Sequence, residues 1–510
     1  MNRPRDRRAG SDGSPWSISE GWRAAALLLA VAVVARACTF GNPVIGFDEQ
    51  FYLLVGDRLL HGALPFVDVF DRKPIGLFLI YAGADALGGN AFLQYKLVAL
   101  AWVVATAWLI FRVARRRAGF TAALGAGAFY ILWLDFMEGE GGQSPVFYGL
   151  PMMAAAAIIV ASADRGGSPR RAGMGAMALV GLAMQIKYSV VFEGLYFGCW
   201  LIAAAWRAGE RGVALAGSVA LWIGCALLPT AAAFLAYAGL GHARAFVFAN
   251  FVSVLAQGRS GASDQMLGAA TMVGILGIPA AFLLRRPRDV GHDHFLFGWL
   301  AAAVAAVVIY WRFPSPHYAI PVLLPLACLL APAMEGSRAR RIAAVALVVI
   351  GFAAGQIVLI ASEARKGGAR AAALVARAAD PSGRGCIYVY DGYPALYMLT
   401  HSCLPTRWPF PAHLSTREEA HAAALGVDPL AGLRRVLATG PVAIVDDYPR
   451  FSGGNPAAHR LLQATLDARY TLAACVHTGP ERVRLVYRRN NDAGPQPAGC
   501  PNAAALHAGG

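Results

Sequence analysis

The chain has 510 residues, of which 57% are hydrophobic and only 15% charged, against roughly 25% charged in an ordinary soluble domain; its mean hydropathy is +0.49. These values exclude a soluble globular protein and describe an integral membrane one. The net charge of +15 does not mark a nucleic-acid binder, because the arginine clusters sit in short gaps between apolar segments, where they act as topology signals.

Segments with the length of a transmembrane helix, about 20 apolar residues, number about eleven. They fall at 23–40, 91–111, 118–134, 145–163, 172–187, 188–206, 213–238, 266–284, 294–311, 319–334 and 341–361. With these spans the gaps Arg3 to Arg8, Arg112 to Arg117, Arg165 to Arg171, Arg207 to Arg211, Arg285 to Arg288 and Arg338 to Arg341 all lie on one side. The positive-inside rule makes that side the cytoplasm. The expected order is a basic cytoplasmic N-terminus at 1–22, a multi-span α-helical membrane domain at 23–361, an extracytoplasmic α/β domain at 362–489 and a disordered tail at 490–510. Ala35-Arg36-Ala37 after the first apolar run also resembles a signal-cleavage site, but the long polar lead and the arginine favour a retained span.

The first outward loop, 41–90, is too long and too mixed for a turn. Glu49 to Leu60 reads as an interfacial helix with Phe51, Leu53, Leu54, Leu59 and Leu60 available to the bilayer surface, and Pro74 to Leu87 as a second, ended by Gly88-Gly89. At their starts stand Asp48-Glu49 and Asp71-Arg72-Lys73-Pro74. Neighbouring carboxylates on a helix diverge by about 100 degrees and suit two tasks, a general base and a positioning or metal-binding group. The plainer alternative is a helix start with Asp48 as N-cap. The Arg72-Lys73 pair suits a phosphate or, more simply, anchors a helix at the headgroups.

A second outward loop, Asp135 to Ser144, adds Glu138, Glu140 and Gln143. Residues 172–206 read as a hairpin with its apex near Lys187-Tyr188, leaving Lys187 at the outward face and Glu193 inside an apolar segment, where an acid is a functional candidate. Arg259 in the third long outward loop and the stretch Trp311-Arg312-Phe313-Pro314-Ser315-Pro316-His317-Tyr318 supply further donors. After 362, Cys386 to Tyr390, Pro441 to Val445 and Arg482 to Tyr487 read as strands, and Ala371 to Ala379, Arg417 to Gly426 and Leu461 to Ala468 as helices. Cys38, Cys199, Cys225 and Cys328 fall in or beside spans. Cys386, Cys403, Cys475 and Cys500 are disulfide candidates, with Cys386 to Cys403 the preferred bridge.

Taken together, Asp48-Glu49 with Tyr52, Asp71-Arg72-Lys73-Pro74, and His317-Tyr318 followed by Pro321 and Pro325 resemble the integral-membrane glycosyltransferases of the GT-C type. These are the superfamily of the protein O-mannosyltransferases and the aminoarabinose transferases of lipid A, and the likeness is strongest to the lipopolysaccharide galacturonosyltransferase branch. It covers about residues 20–335 in motif order. Two positions depart from the pattern: Lys73-Pro74-Ile75 stands where many relatives have Lys-Pro-Pro, and Gln143-Ser144-Pro145 where they have an Asn-Thr-Glu-like stretch.

The resemblance implies a GT-C fold and transfer of a sugar, with inversion, from a polyprenyl-phosphate donor to a hydroxyl of an envelope lipid, glycan or protein at the outer face of the bacterial inner membrane. Asp48 is then the base and Glu49 its helper in acceptor positioning or in binding a divalent metal, if one is used. Lys73, with Arg72, Arg259, Lys187, His317 and Tyr318, holds the departing phosphate, and Glu138 or Glu140 substitutes for the missing acid of the second loop. The partners are membrane lipid and these substrates, with no nucleic acid. Two other classes fit parts of the pattern: a secondary transporter using Lys187 and Glu193, and an inert envelope-assembly protein with the same fold.

Overall fold

The computed structural model describes residues 18–284, 293–380, 382–383, 385–490, 497, 500 and 501. The arginine clusters at 3–8 and 285–288 and most of the expected tail lie outside these residues. The membrane part consists of α1 (Ile18–Arg36), α2 (Phe47–Leu60), α3 (Ile75–Asp85), α4 (Ala91–Ala114), α5 (Phe120–Trp133), α6 (Ser144–Asp164), α7 (Pro169–Met184), α8 (Val191–Arg207), α9 (Gly212–Gly239), α10 (Ala243–Val247), α11 (Ser253–Ala256), α12 (Ala262–Leu284), α13 (His294–Tyr310), α14 (Ile320–Leu330) and α15 (Arg338–Lys366).

Each expected span coincides with one of these helices. Eight helical segments among the described residues are long and apolar enough to cross a membrane, while α5 and α13 are apolar but shorter and α7 has 16 residues. The hairpin apex falls where Lys187 was expected to mark it, between α7 and α8.

Ion pairs gather the basic helix ends. Arg115 meets Glu20 at 3.3 Å, Arg116 meets Asp164 at 2.5 Å and Asp293 at 3.5 Å, and Arg117 meets Asp293 at 3.3 Å. The Gly119 amide donates to Glu335. The start of α1, the ends of α4 and α6 and the start of α13 therefore share one end of the bundle, with the approach to α15 beside them. The loops that carry Asp48, Lys73, Glu138, Lys187 and His317 come together elsewhere.

Two local expectations are corrected. The N-cap of α2 is Gly46, without a side-chain cap bond, so Asp48 is not spent on capping. Nor does α2 lie in the interface: Phe51, Leu53 and Leu54 are buried, and Phe47 and Leu60 at its two ends are the large apolar side chains left exposed. The helix is roofed by the C-terminal domain, where Phe410 packs on Phe47 and Phe51 with ring centroids 5.0 and 4.9 Å away.

The C-terminal domain begins later than 362, because α15 continues to Lys366 and the chain turns at Gly367, whose φ of +83° suits a residue without Cβ. It comprises α16 (Ala369–Ala379), β1 (Ile387–Val389), α17 (Leu396–Leu399), α18 (Pro411–Ser415), α19 (Ala422–Leu425), α20 (Pro429–Thr439), β2 (Ala443–Tyr448), α21 (Pro456–Arg469), β3 (Tyr470–His477) and β4 (Val483–Arg489). The sheet order is β1-β2-β4-β3, with β1 and β2 parallel and the other pairs antiparallel. Cys386 is bridged to Cys403 and Cys475 to Cys500.

The helix expected at 417–426 shrinks to α19. Thr416 instead forms a bridge with Gly454, and Glu418 and Glu419 are drawn to partners on the membrane domain. Strand β3 was not expected; a register shift between Leu472 and Ala474 breaks its alternation.

Candidate active site

A cavity of about 450 Å³ opens between α2, the loop before α3, the α7–α8 turn, residues 250–260, residues 310–318 and the C-terminal domain. A smaller cavity of about 190 Å³ is lined by Asp48, Glu49, Glu138, Glu140, Gln143 and Lys366. Asp48 and His317 line both. One carboxylate thus faces two compartments.

Asp48 is positioned from three directions. Its place in the first turn of α2 leaves the side chain clear of capping, Gln143 Nε2 donates to Asp48 Oδ2 at 3.0 Å, and Tyr52 Oη lies at 3.4 Å. Gln143 is itself the N-cap of α6, so the position that departs from the resembling families has a defined partner. Burial pushes the Asp48 carboxyl up, but Lys73, His317, the Gln143 hydrogen bond and Lys187 together hold it below the usual carboxylate range. It is an anion at neutral pH.

Glu49 has a different environment. It is buried against Gly46 and Gly141, where any Cβ would collide with its carboxyl, and neither oxygen has a partner at hydrogen-bond geometry among the described residues. Burial, with Glu140 nearby, pushes its pKa up to about 7 against the opposing pull of Lys96 and the Gly142 amide.

The two basic residues of the first loop divide their work. Arg72 is committed: its guanidinium makes a two-pronged pair with Glu419 at 2.7 and 2.6 Å, and donates to Ser253 Oγ at 2.6 Å and the Ala424 carbonyl at 3.0 Å. Ser253 follows the π-turn Phe248–Val252, which also carries the cavity-lining Asn250. Arg72 therefore ties the loop to the roof. Asp71 receives the Arg72 amide and, at 3.2 Å, the Lys73 amide, shaping the turn that presents Lys73.

Lys73 lines the large cavity with its Nζ 5.4 Å from the Tyr52 ring, and Lys187 lines it from the α7–α8 turn with its Nζ 3.8 Å from the Tyr318 ring. Among the described residues neither has a carboxylate within 4 Å, so both remain available to an anion. Arg259 is exposed and does not line the cavity. Its place is taken by Arg312, which lines the cavity while donating to the Gly258 carbonyl at 3.3 Å.

His317 Nδ1 lies 2.9 Å from Glu138 Oε2. Burial pushes Glu138 up, yet that hydrogen bond and charge hold it below the usual range. Glu140 is pushed upward by burial. Glu193 leaves the site altogether: Trp299 Nε1 donates to it at 2.6 Å, linking α8 to α13. The transporter alternative rested on Lys187 and Glu193 as buried charged groups, and they lie apart, Lys187 at the cavity and Glu193 on Trp299. Among the described residues, no three His, Cys, Asp or Glu side chains are grouped to hold a metal ion.

Three cations escaped the sequence reading as site residues. Lys96 donates to the Thr39 carbonyl at 2.6 Å and to the Asn42 carbonyl, Lys366 to the Ile45 carbonyl at 2.8 Å, and Arg36 to the Gly139 and Glu140 carbonyls at 2.7 and 3.2 Å. They fasten the backbone that leads into α2 and that of the loop which carries Gln143. Lys96 carried a usable signal, a charge inside an apolar span.

No family profile matches the sequence, and no curated protein matches it. Among solved structures, ArnT from Cupriavidus metallidurans in the apo state is similar over 94% of this chain and 100% of its own, with a TM-score of 0.59 and 17% identity. The same protein bound to undecaprenyl phosphate gives a TM-score of 0.57 and 16% identity over the same shares. ArnT has the GT-C fold, and this chain has it as well.

Proposed function

We propose that this integral membrane protein of the GT-C fold is a glycosyltransferase that moves a sugar from a polyprenyl-phosphate donor to a hydroxyl of an envelope lipid, glycan or protein. The observation that carries the reading is the position of Asp48, an ionised carboxylate facing two cavities, with two lysines free of carboxylate partners lining the larger. The likeness to ArnT, solved with undecaprenyl phosphate bound, supports a lipid phosphate as donor.

In the proposed reaction the donor phosphate lies against Lys73, Lys187 and Arg312, and the acceptor hydroxyl reaches Asp48. The carboxylate takes the hydroxyl proton as the acceptor oxygen bonds to the anomeric carbon from the face opposite the phosphate. The bond from that carbon to the phosphate oxygen breaks, its electron pair leaves with the lipid phosphate, and the sugar is inverted. The leaving group is an anion at neutral pH, so fixed cations stabilise it without a proton donor. A positioned base contributes about 10²–10⁴-fold.

The gathered arginine-bearing helix ends support an orientation with that end in the cytoplasm. The site and the C-terminal domain then face outward from the inner membrane.

The test is mass spectrometry of envelope glycolipids and glycoproteins from cells with the wild-type chain, without it, and with Asp48→Asn at matched abundance. One sugar modification is expected in the first and missing from the other two. Full restoration by Asp48→Asn overturns the assignment of the base.

A further inference from the structure

The C-terminal domain has a cavity of its own, about 290 Å³ in volume, which the transfer chemistry leaves unused. It lies at the carboxyl ends of the two parallel strands: Tyr390 and Asp391 follow β1, Asp446 belongs to β2, and Asn455 caps α21. Beyond the carboxyl ends of parallel strands is where open α/β sheets bind ligands.

The rim is built by the backbone. The Arg417 amide donates to the Gly453 carbonyl at 2.9 Å and the Asn455 amide to the Ser415 carbonyl at 2.7 Å, while the Gly454 amide closes a turn onto the Phe451 carbonyl at 2.9 Å. Arginines 417, 450 and 460 come to this rim from three separate segments. Lower in the cavity Asp446 Oδ2 lies 3.7 Å from His459 Nε2, beside Asp391.

Phe451 is the second distinctive feature. Its ring is 54% exposed, and it lines both this cavity and the large one that holds Lys73 and Lys187. An aromatic ring in a wall shared by two polar cavities offers an apolar face to the C–H side of a sugar, carboxylates accept sugar hydroxyls, and arginines pair with phosphate or carboxylate.

We propose that this cavity binds an anionic sugar, and that the sugar is part of the acceptor. The acid group lies on Arg417 and Arg460, the hydroxyls on Asp391 and Asp446, and the ring against Phe451, beside the donor cavity. The role as an acceptor subsite rests on the glycosyltransferase reading; occupancy of the cavity does not.

The test is calorimetric titration of the full chain in lipid nanodiscs with glucose 1-phosphate, galacturonate and glucose. The two anionic sugars are expected to bind, and glucose at least about tenfold more weakly, since a charge-assisted contact contributes at least that factor. Arg417→Ala with Arg460→Ala, both at exposed positions, is expected to weaken the anionic sugars by about tenfold or more, whereas Asp48→Asn keeps them bound. Absence of binding by both anionic sugars, unchanged binding in the double variant, or equal binding of glucose overturns the proposal. An active Asp48→Asn enzyme would overturn the catalytic reading and leave this binding result standing.

Discussion

Lys187 is 4% exposed and has no carboxylate within 4 Å among the described residues; burial, with Lys73 nearby, pushes its ammonium well below the usual lysine range against the pull of Asp48. Keeping that ammonium charged without a partner costs several kcal/mol, and the contact with the Tyr318 ring at 3.8 Å returns about 2 kcal/mol at most. Lys187→Met keeps the length of the side chain and removes the charge. The variant without donor should therefore be more stable by about 1 kcal/mol or more, a rise in melting temperature on the order of 2 °C. With donor the balance reverses, because a hydrogen bond to a charged group contributes about 1.5–3 kcal/mol. The KM for lipid-phosphate sugar should then rise by about 10- to 150-fold. The assay pairs thermal melting of purified protein with transfer rates at varied donor concentration. A donor KM within a factor of about two of wild type, or a marked fall in melting temperature, would refute the phosphate role.

Three further outcomes follow from contacts around the site. Arg72→Ala leaves Glu419 buried without its partner and should destabilise by about 3–5 kcal/mol, read as earlier proteolysis of the C-terminal domain, with much of the loss recovered by Arg72→Met combined with Glu419→Leu. Glu49 has its folded pKa raised from 4.5 to about 7, so its contribution to stability is complete below the unfolded value and is lost as pH rises through the folded one. Wild type should lose more melting temperature across that window than Glu49→Gln, and parallel curves would refute a raised Glu49. The Cys386 to Cys403 bridge, with a sequence separation of 17, should contribute about 3 kcal/mol by loop closure, so Cys386→Ser with Cys403→Ser should lower the melting temperature without abolishing transfer.

The fold was legible wherever local chemistry dominates. Long apolar runs gave the eleven expected spans a helix each, though not the short α10 and α11 in what was read as a loop, and the two helices of the first loop announced themselves by their apolar content. What was hidden depends on contacts distant in sequence. Arg72 and Lys73 are indistinguishable as neighbours in a loop and both line the cavity, and only Glu419, 347 positions away, engages the one and leaves the other without a carboxylate partner. Arg259 was the arginine expected at the phosphate from this part of the chain, whereas Arg312, named only within its stretch, is the one that lines the cavity. The carbonyl clamps of Arg36, Lys96 and Lys366 have no sequence signature beyond a charge in an unexpected place. α20 did carry one: Asp428 as N-cap, Pro429 at the first position and Gly440 at the end.

The adjacent carboxylates show why a pair in sequence need not act as a pair in chemistry. About 100 degrees of helix rotation separates them, and α2 has Gln143 and the cavity cations on one side and Gly46 and Gly141 on the other. On the first side Lys73, His317 and Lys187 outweigh burial and keep Asp48 ionised; on the second burial and Glu140 outweigh Lys96 and push Glu49 upward. Environments that drive two carboxyls apart also assign their roles. A protonated Glu49 cannot accept the acceptor's proton and does not repel the charge on Asp48, whereas an ionised Glu49 would do both. Both Glu49 oxygens are buried without a hydrogen-bond partner among the described residues. Under the proposed mechanism proton transfer therefore belongs to Asp48, which is held ionised and lines the cavity of Lys73 and Lys187, and not to Glu49, which does not line it.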